Sequence, residues 1–270
     1  MHVQGKIIVV TGAGSGIGRA LALALVKRGA RVAAVDLRQA SLQETKQLAQ
    51  SLSENISLHV IDITNRASVE ALPKEVLAKH GNIDGIINNA GIIQPFVRVN
   101  DLDYEAINRV MNVNFYGALY MVKAFLPLLL KRPEAHIVNV SSMGGFLPVP
   151  GQSVYGASKA AIKLLTEGLY SELASTHVRV SVVFPGATKT NITENSGVKG
   201  PQMTSEQANT KKIPMVSADQ AASVIINGME QDKPRVYVGK DSKMMNMLYR
   251  LSPSFATNLI TKQMRSLLPE

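Results

Sequence analysis

Three side chains in the middle of the chain are of types that can move a proton. Tyr155 and Lys159 lie four residues apart, in a segment that continues with helical spacing through Leu164, Leu165, Leu169 and Leu173. At that separation two side chains share one face of a helix. A phenol with an ordinary pKa near 10 is about 0.1% ionised at neutral pH and is a poor base by itself. A neighbouring ammonium favours the phenolate. Lowering the pKa by roughly three units corresponds to about 4 kcal/mol of differential stabilisation. Ser142 precedes a loop that could bring its hydroxyl near the phenol. Together the three would offer a substrate oxygen one proton and one further hydrogen bond. A Tyr and a Lys at this spacing also occur on helices that do no chemistry, so the rest of the chain has to support the reading.

That support begins at the N-terminal end. Lys6 to Val10 is an apolar run of strand length, TGAGSGIG follows from Thr11 to Gly18, and a helical pattern through Leu21, Leu25 and Val26 ends at Gly29. A glycine-rich turn between strand and helix lets the backbone approach a pyrophosphate, and the helix N-terminus supplies N–H groups and a positive dipole end. The spacing is T-G-x-x-x-G-x-G, with Gly12, Gly16 and Gly18 and with Ser15 and Ile17 between them, not G-x-G-x-x-G. A purely structural turn would also use glycine; its place after a first strand favours a dinucleotide. The next strand, Arg31 to Val35, ends in Asp36, which can bind ribose hydroxyls and would repel a 2′-phosphate. This favours NAD over NADP, with Arg38 nearby as a residue that could reach a phosphate.

Helix-like and strand-like segments then alternate. A helix from about Ala40 to Leu52 leads to a strand from Ile56 to Ile61 and to Asp62-Ile63-Thr64, where Asp62 could accept from an adenine amino group or merely cap a helix. After a helix to His80, Ile83 to Asn88 reads as a strand running into Asn88-Asn89-Ala90-Gly91, whose amides could tie strand ends together. Asp101 to Leu130 is helical with a break near Met111 to Gly117 that contains Asn114. Ala135 to Val140 is a strand carrying Ser141 and Ser142 at its carboxyl end, where ligands gather in open parallel sheets. Val178 to Phe184 is another strand, followed by Pro185-Gly186-Ala187-Thr188-Lys189-Thr190. Ile192 to Ile213 is long and polar, as a lid over a substrate would be. A helix from about Ser217 to Met229 and a strand from Arg235 to Val238 complete the series.

Composition bounds the rest. The chain has 270 residues, 46% of them hydrophobic and 18% charged, enough for a sizeable core and too few charges for a disordered protein. Without a linker-like break, residues 1–240 read as one catalytic domain. Cysteine is absent, which excludes disulfides and thiolate chemistry and suits a cytoplasmic enzyme. The five histidines show no ligand spacing, so no metal is expected. The first apolar run is too short for a signal peptide core, and none reaches the ~20 residues that cross a bilayer. Net charge is +9, but Trp is absent and the basic residues are scattered, so nucleic acid is not an expected partner. Residues 241–270 read as an amphipathic helical extension. Met244, Met247, Leu248 and Leu251 form one stripe, and Phe255, Leu259, Ile260, Met264, Leu267 and Leu268 form another, with Lys243, Arg250, Lys262 and Arg265 nearby. Such faces could lie peripherally on a membrane, line a lipophilic pocket, pack between subunits or pack on their own domain.

Taken together, TGAGSGIG, Asp36, Asp62, the NNAG run from Asn88, Asn114, Ser142, the YGASK run from Tyr155 and the PG pair from Pro185 resemble the short-chain dehydrogenase/reductase family over about Lys6 to Val238. The resemblance implies a Rossmann-like, doubly wound α/β fold: a seven-stranded parallel sheet in the order 3-2-1-4-5-6-7 with helices on both faces. It implies hydride exchange between NAD (NADP less favoured) and an alcohol or ketone, with Tyr155 handling the proton and Lys159 lowering the phenol pKa and holding ribose hydroxyls. Ser142 would steady the substrate oxygen, and Asn114 would support a water-linked relay. Gly12, Ser15, Gly16, Ile17, Gly18, Asp36, Asp62, Ile63, Asn89, Pro185, Gly186, Thr188 and Thr190 would contact the cofactor. A homodimer or homotetramer would form through the helices holding Asn114 and Tyr155. The substrate is expected to be small and hydrophobic (steroid-, retinoid- or lipid-like), lined by Phe96, Met143, Phe146, Leu147, Val149, Met203 and Met215. A sugar or acyl-carrier substrate is the enzyme alternative, and a non-catalytic NAD-binding regulator or membrane-surface scaffold the alternative of another class.

Overall fold

The structure is a computed structural model that describes residues 1–199 and 215–264. Its centre is a parallel sheet of β1 (Ile7–Thr11), β2 (Arg31–Asp36), β3 (Ile56–Val60), β4 (Gly85–Asn88), β5 (Ala135–Val140), β6 (Val178–Pro185) and β9 (Arg235–Val238), in the order β3-β2-β1-β4-β5-β6-β9. This is the expected order. Between β6 and β9 in sequence lies a separate two-stranded pair, β7 (Thr188–Lys189) with β8 (Val216–Ser217).

The sheet is covered on both faces because its strands are apolar on both. Every residue of β1 and of β5 is buried, as parallel strands between helix layers require. Successive side chains alternate between two cores. Ile8 and Val10 join Leu21 and Leu25 of α1 (Gly16–Lys27) and, from α8 (Ala218–Glu230), Ile225. Ile7 and Val9 join the opposite core with Val69 and Leu72 of α3 (Arg66–His80), Phe125 of α5 (Ala118–Leu129) and Leu169 of α6 (Ser153–Glu172). Strand order reverses between β1 and β4, and that reversal opens a crevice at the carboxyl ends of the strands.

Element boundaries differ from expectation where local chemistry intervenes. The helix expected to reach Leu52 stops as α2 (Gln39–Leu48) and tightens into a 3₁₀ turn at Gln50–Asn55. The expected break in the 101–130 helix is a π-helical turn, Asn112–Gly117, between α4 (Tyr104–Met111) and α5. Of the expected lid, a short helix α7 (Ile192–Asn195) and residues to 199 are described, whereas Met203 falls outside the described residues. On the helices where the resemblance places subunit contact, Tyr116, Leu164 and Tyr170 are exposed.

The C-terminal helices α9 (Lys240–Leu251) and α10 (Pro253–Met264) pack on the segment that follows β5. Met245, Ala256 and Ile260 pack against Leu147, with Phe146 and Tyr249 at the margin. Phe146 also meets Phe184 edge-on at 5.5 Å. Leu147 is therefore fully buried beneath the C-terminal helices and does not line a substrate space. Of the expected stripe, Met244, Met247 and Leu251 point outward.

Candidate active site

The carboxyl ends of the strands surround a cavity of about 390 Å3. Sheet order gives it two ends. Strands β2 and β3 deliver Asp36, Asp62 and Ile63 to one, and β5, β6 and α6 deliver Ser142, Pro185, Tyr155 and Lys159 to the other. Gly12, Ser15, Gly16, Ile17 and Asn89 form the middle wall, and Gly186, Thr188 and Thr190 continue past β6. Two of the residues picked out in the sequence, Gly18 and Asn114, do not line it.

The glycine turn is built to hold β1, α1 and β4 close together. Thr11 Oγ1 accepts from the backbone N–H groups of Asn89 and Ala90, both at 3.0 Å, and Asn89 Nδ2 donates to the Thr11 carbonyl at 3.0 Å. Gly12 adopts φ +68°, which favours glycine. Gly18 acts through close packing: a Cβ there would stand 2.0 Å from the Gly12 carbonyl oxygen. The N-terminus of α1 thus faces the crevice with its first N–H groups, the arrangement that suits a pyrophosphate.

Asp36 is fixed by two backbone donors, Gly14 N–H to Oδ2 at 2.9 Å and Arg38 N–H to Oδ1 at 3.0 Å. Arg38 itself donates to Asn195 Oδ1 at 2.8 Å, and Asn195 Nδ2 donates to Ser15 Oγ at 2.9 Å. Asn195 thereby links both sides of the cavity mouth; no local pattern in the sequence announces it. Asp62 Oδ1 accepts from the Thr64 N–H and hydroxyl at 2.8 and 2.7 Å, while Asn65 caps α3. The helix-cap alternative for Asp62 is thus filled by a different residue.

At the catalytic end, Ser142 Oγ accepts from the Gly144 N–H at 3.1 Å and stands beside the Tyr155 phenol. Lys159 Nζ donates to the Val140 carbonyl at 3.0 Å and lies 6.0 Å from the centre of the Tyr155 ring. Burial dominates both groups. It pushes the Tyr155 phenol above its usual value, with the neighbouring Ser142 hydroxyl pulling partly back, and pushes Lys159 down to about 8. A low-dielectric site disfavours either charge. The expected lowering of the phenol pKa by Lys159 is not seen; burial raises it instead.

Asn114 is buried and fully occupied elsewhere. Its Nδ2 donates to the Ile92 carbonyl and to Ser158 Oγ, and its Oδ1 accepts from the Ile92 N–H, all at 2.9 Å. The π turn places it between the 92–94 loop and α6, where it fastens one to the other. Sequence reading also missed Gln94 and Asn139. Asn139 bridges Asn88 (2.8 Å) to Thr166 (3.0 Å) beneath the site. Among the described residues no three His, Asp or Glu side chains converge as a metal site would.

A dinucleotide fits these residues: a glycine turn, a helix N-terminus and a fixed carboxylate lie along one cavity that ends at a buried Tyr–Lys pair. This fold and site define a nicotinamide-dependent oxidoreductase. The family model for short chain dehydrogenases matches residues 6–199, and the chain belongs to that family. It is 36% identical over 270 residues to SadH of Mycobacterium tuberculosis, a protein named as an oxidoreductase, covering 98% of each chain. A short chain dehydrogenase/reductase from Burkholderia phymatum in complex with NAD superposes with a TM-score of 0.84 at 25% identity, over 94% of this chain and 96% of that one. A short chain dehydrogenase from Burkholderia cenocepacia in complex with NADP gives 0.80 at 29% identity, over 96% and 99%.

Proposed function

We propose that this enzyme exchanges hydride between NAD and a secondary alcohol or ketone with an apolar body. The observation that carries the reading is the convergence of Ser142, Tyr155 and Lys159 at the end of the cavity opposite Asp36. When bound there, the nicotinamide supplies the hydride acceptor or donor. In oxidation Tyr155 takes the alcohol proton, and in reduction it gives one back. Ser142 holds the reacting oxygen, and Lys159 steadies the charge that Tyr155 acquires. Asn114 acts from behind, by holding Ile92 and Ser158 in place.

The preference for NAD rests on Asp36. Its carboxylate is pinned at the cavity edge, and a phosphate charge ~4 Å away would be repelled by about 4 kcal/mol at an effective dielectric of 20. Arg38 is drawn toward Asn195. The apolar substrate rests on Ile92, Ile93, Val113 and Ile192 in the cavity wall. A panel of alcohols and ketones with both cofactors tests these points. NAD-linked turnover of bulky apolar secondary alcohols is expected, and Asp36→Ala should narrow the NAD/NADP affinity ratio by tenfold or more, since about 1.4 kcal/mol is a factor of ten. Turnover confined to sugars, or an unchanged ratio, would reject the corresponding half of the reading.

We also infer a peripheral contact between α9–α10 and an anionic membrane face on the cytoplasmic side. Met244, Met247, Leu251 and Phe255 are 56%, 61%, 78% and 57% exposed. Lys243, Arg250 and Lys262 are exposed around them, and an apolar stripe with a basic flank suits an anionic interface. Flotation with phosphatidylglycerol vesicles should carry the protein up, and Met247→Glu/Leu251→Glu should leave it at the bottom. Equal recovery of both proteins would end the idea.

A further inference from the structure

The helix that carries Tyr155 begins without a cap of its own. Its N-cap residue, Gln152, has φ −129° and ψ 33°, and the Gln152 side chain does not turn back onto the helix. Tyr155 is the third residue of α6, so its N–H is among the four that an α-helix leaves unpartnered. At a buried site such a donor must find an acceptor. The acceptor comes from 61 residues away: Gln94 Oε1 takes the N–H of Tyr155 at 2.9 Å and that of Val154 at 2.8 Å.

Gln94 is 0% exposed, and its remaining groups are also engaged. Its Nε2 donates to the Gly151 carbonyl at 3.1 Å, and Gln152 Nε2 donates to the Gln94 carbonyl at 2.9 Å. The loop 92–94 therefore grips α6 at two levels. Asn114 fastens Ile92 to Ser158, next to Lys159, and Gln94 fastens the first turn, which holds Tyr155. Removing the Gln94 side chain leaves Lys159 anchored through the Val140 carbonyl, while the turn bearing the phenol is held to the loop only through Gln152 and the residue-94 carbonyl.

We propose that Gln94 is a positioning residue for Tyr155: by capping α6 from the loop after β4, it sets the phenol against Ser142 and the substrate oxygen. This rests on Tyr155 being the proton carrier. Gln94→Met keeps the length and loses the acceptor. It is expected to lower kcat about 10²-fold, the scale of a 1 Å misplacement, with NAD affinity within about threefold. Gln94→Glu keeps an oxygen at the accepting position and, in its protonated form, a donor for the Gly151 carbonyl, so it should recover part of the loss at low pH and less as the pH rises. The decisive comparison is with Tyr155→Phe. If Gln94 acts through the phenol, Gln94→Met/Tyr155→Phe turns over no more slowly than Tyr155→Phe alone, because groups that act as a unit are not additive.

Independent, multiplying losses in the double variant would overturn the proposal, as would wild-type kcat in folded Gln94→Met, or NAD affinity falling in step with kcat. Should Gln94→Met not fold, amide exchange in the unaltered protein decides. Val154 and Tyr155 are expected to exchange as slowly as the interior of α6, and rapid exchange there overturns the capping role. Near-normal turnover in Tyr155→Phe alone would instead reject the proton-carrier reading itself.

Discussion

Tyr155→Phe is expected to lower kcat by about 10²–10⁴-fold, the range that a positioned proton donor or acceptor contributes, while NAD affinity changes by less than about threefold. The ring stays, so packing against the Met143–Gly145 turn and the α6 hydrogen bonds through Gln94 are kept. Only the hydroxyl beside Ser142 is lost. The pH profile gives the same test a sign. Burial holds the phenol protonated well past neutrality, so reduction, which needs the proton, should be flat through neutral pH and fall as the medium becomes alkaline. Oxidation, which needs the phenolate, should rise over that range. Both limbs should weaken in Tyr155→Phe, leaving only what Lys159 contributes above about pH 8. Persistence of either limb, with near-normal turnover, would assign the proton to another group.

Lys159 adds a second consequence. Its ammonium, pushed down to about 8 by burial, begins to lose charge within the range where oxidation accelerates. The alkaline limb therefore carries a contribution from each of the two buried groups. A bound cofactor's ribose hydroxyls would give the ammonium further acceptors and raise its pKa.

What the sequence could express was what depends on local spacing. Tyr155 and Lys159 fall on one helix face by arithmetic, and the apolar run at β1 reads as a buried strand. The order β3-β2-β1-β4-β5-β6-β9 came through resemblance and not from the pattern itself. Hidden features were contacts between segments distant in the chain. Gln94 looks like an ordinary loop amide until the fold brings it to α6, and Asn195 meets Ser15 across 180 positions. Asn114 was visible as a residue, yet its partners place it behind the cavity wall. Helical periodicity also identified α9 without saying which apolar face would be covered. Met245 and Tyr249 turn inward because Leu147 and Phe146 lie beneath them, and Met244, Met247 and Leu251 are left outside.

Gly18→Ala should damage both fold and site, and a second helix glycine supplies the control. Both Gly18 and Gly168 lie inside helices, where alanine is favoured over glycine by about 1 kcal/mol. At Gly168 a Cβ would meet nothing within 4 Å, so Gly168→Ala is expected to raise stability by up to that amount. At Gly18 the Cβ would stand 2.0 Å from the Gly12 oxygen and 2.6 Å from Asn89 Nδ2. Neither neighbour can yield cheaply, because Gly12 is backbone at positive φ and Asn89 is bonded to Thr11. Overpacking of this kind costs typically 1–3 kcal/mol. Contact with backbone puts it at the upper end, lowering Tm by roughly 6–12 °C at about 2–4 °C per kcal/mol. Relief requires α1 to tilt away from β1, which carries the N–H groups of Ser15 and Gly16 off the pyrophosphate position. NAD affinity should therefore fall by at least about 10²-fold in protein that remains folded. Calorimetry and thermal melting of the two variants side by side measure both effects. Equal melting and equal NAD affinity for Gly18→Ala and the unaltered chain would mean that the crevice is not closed around Gly12 and Gly18 as described.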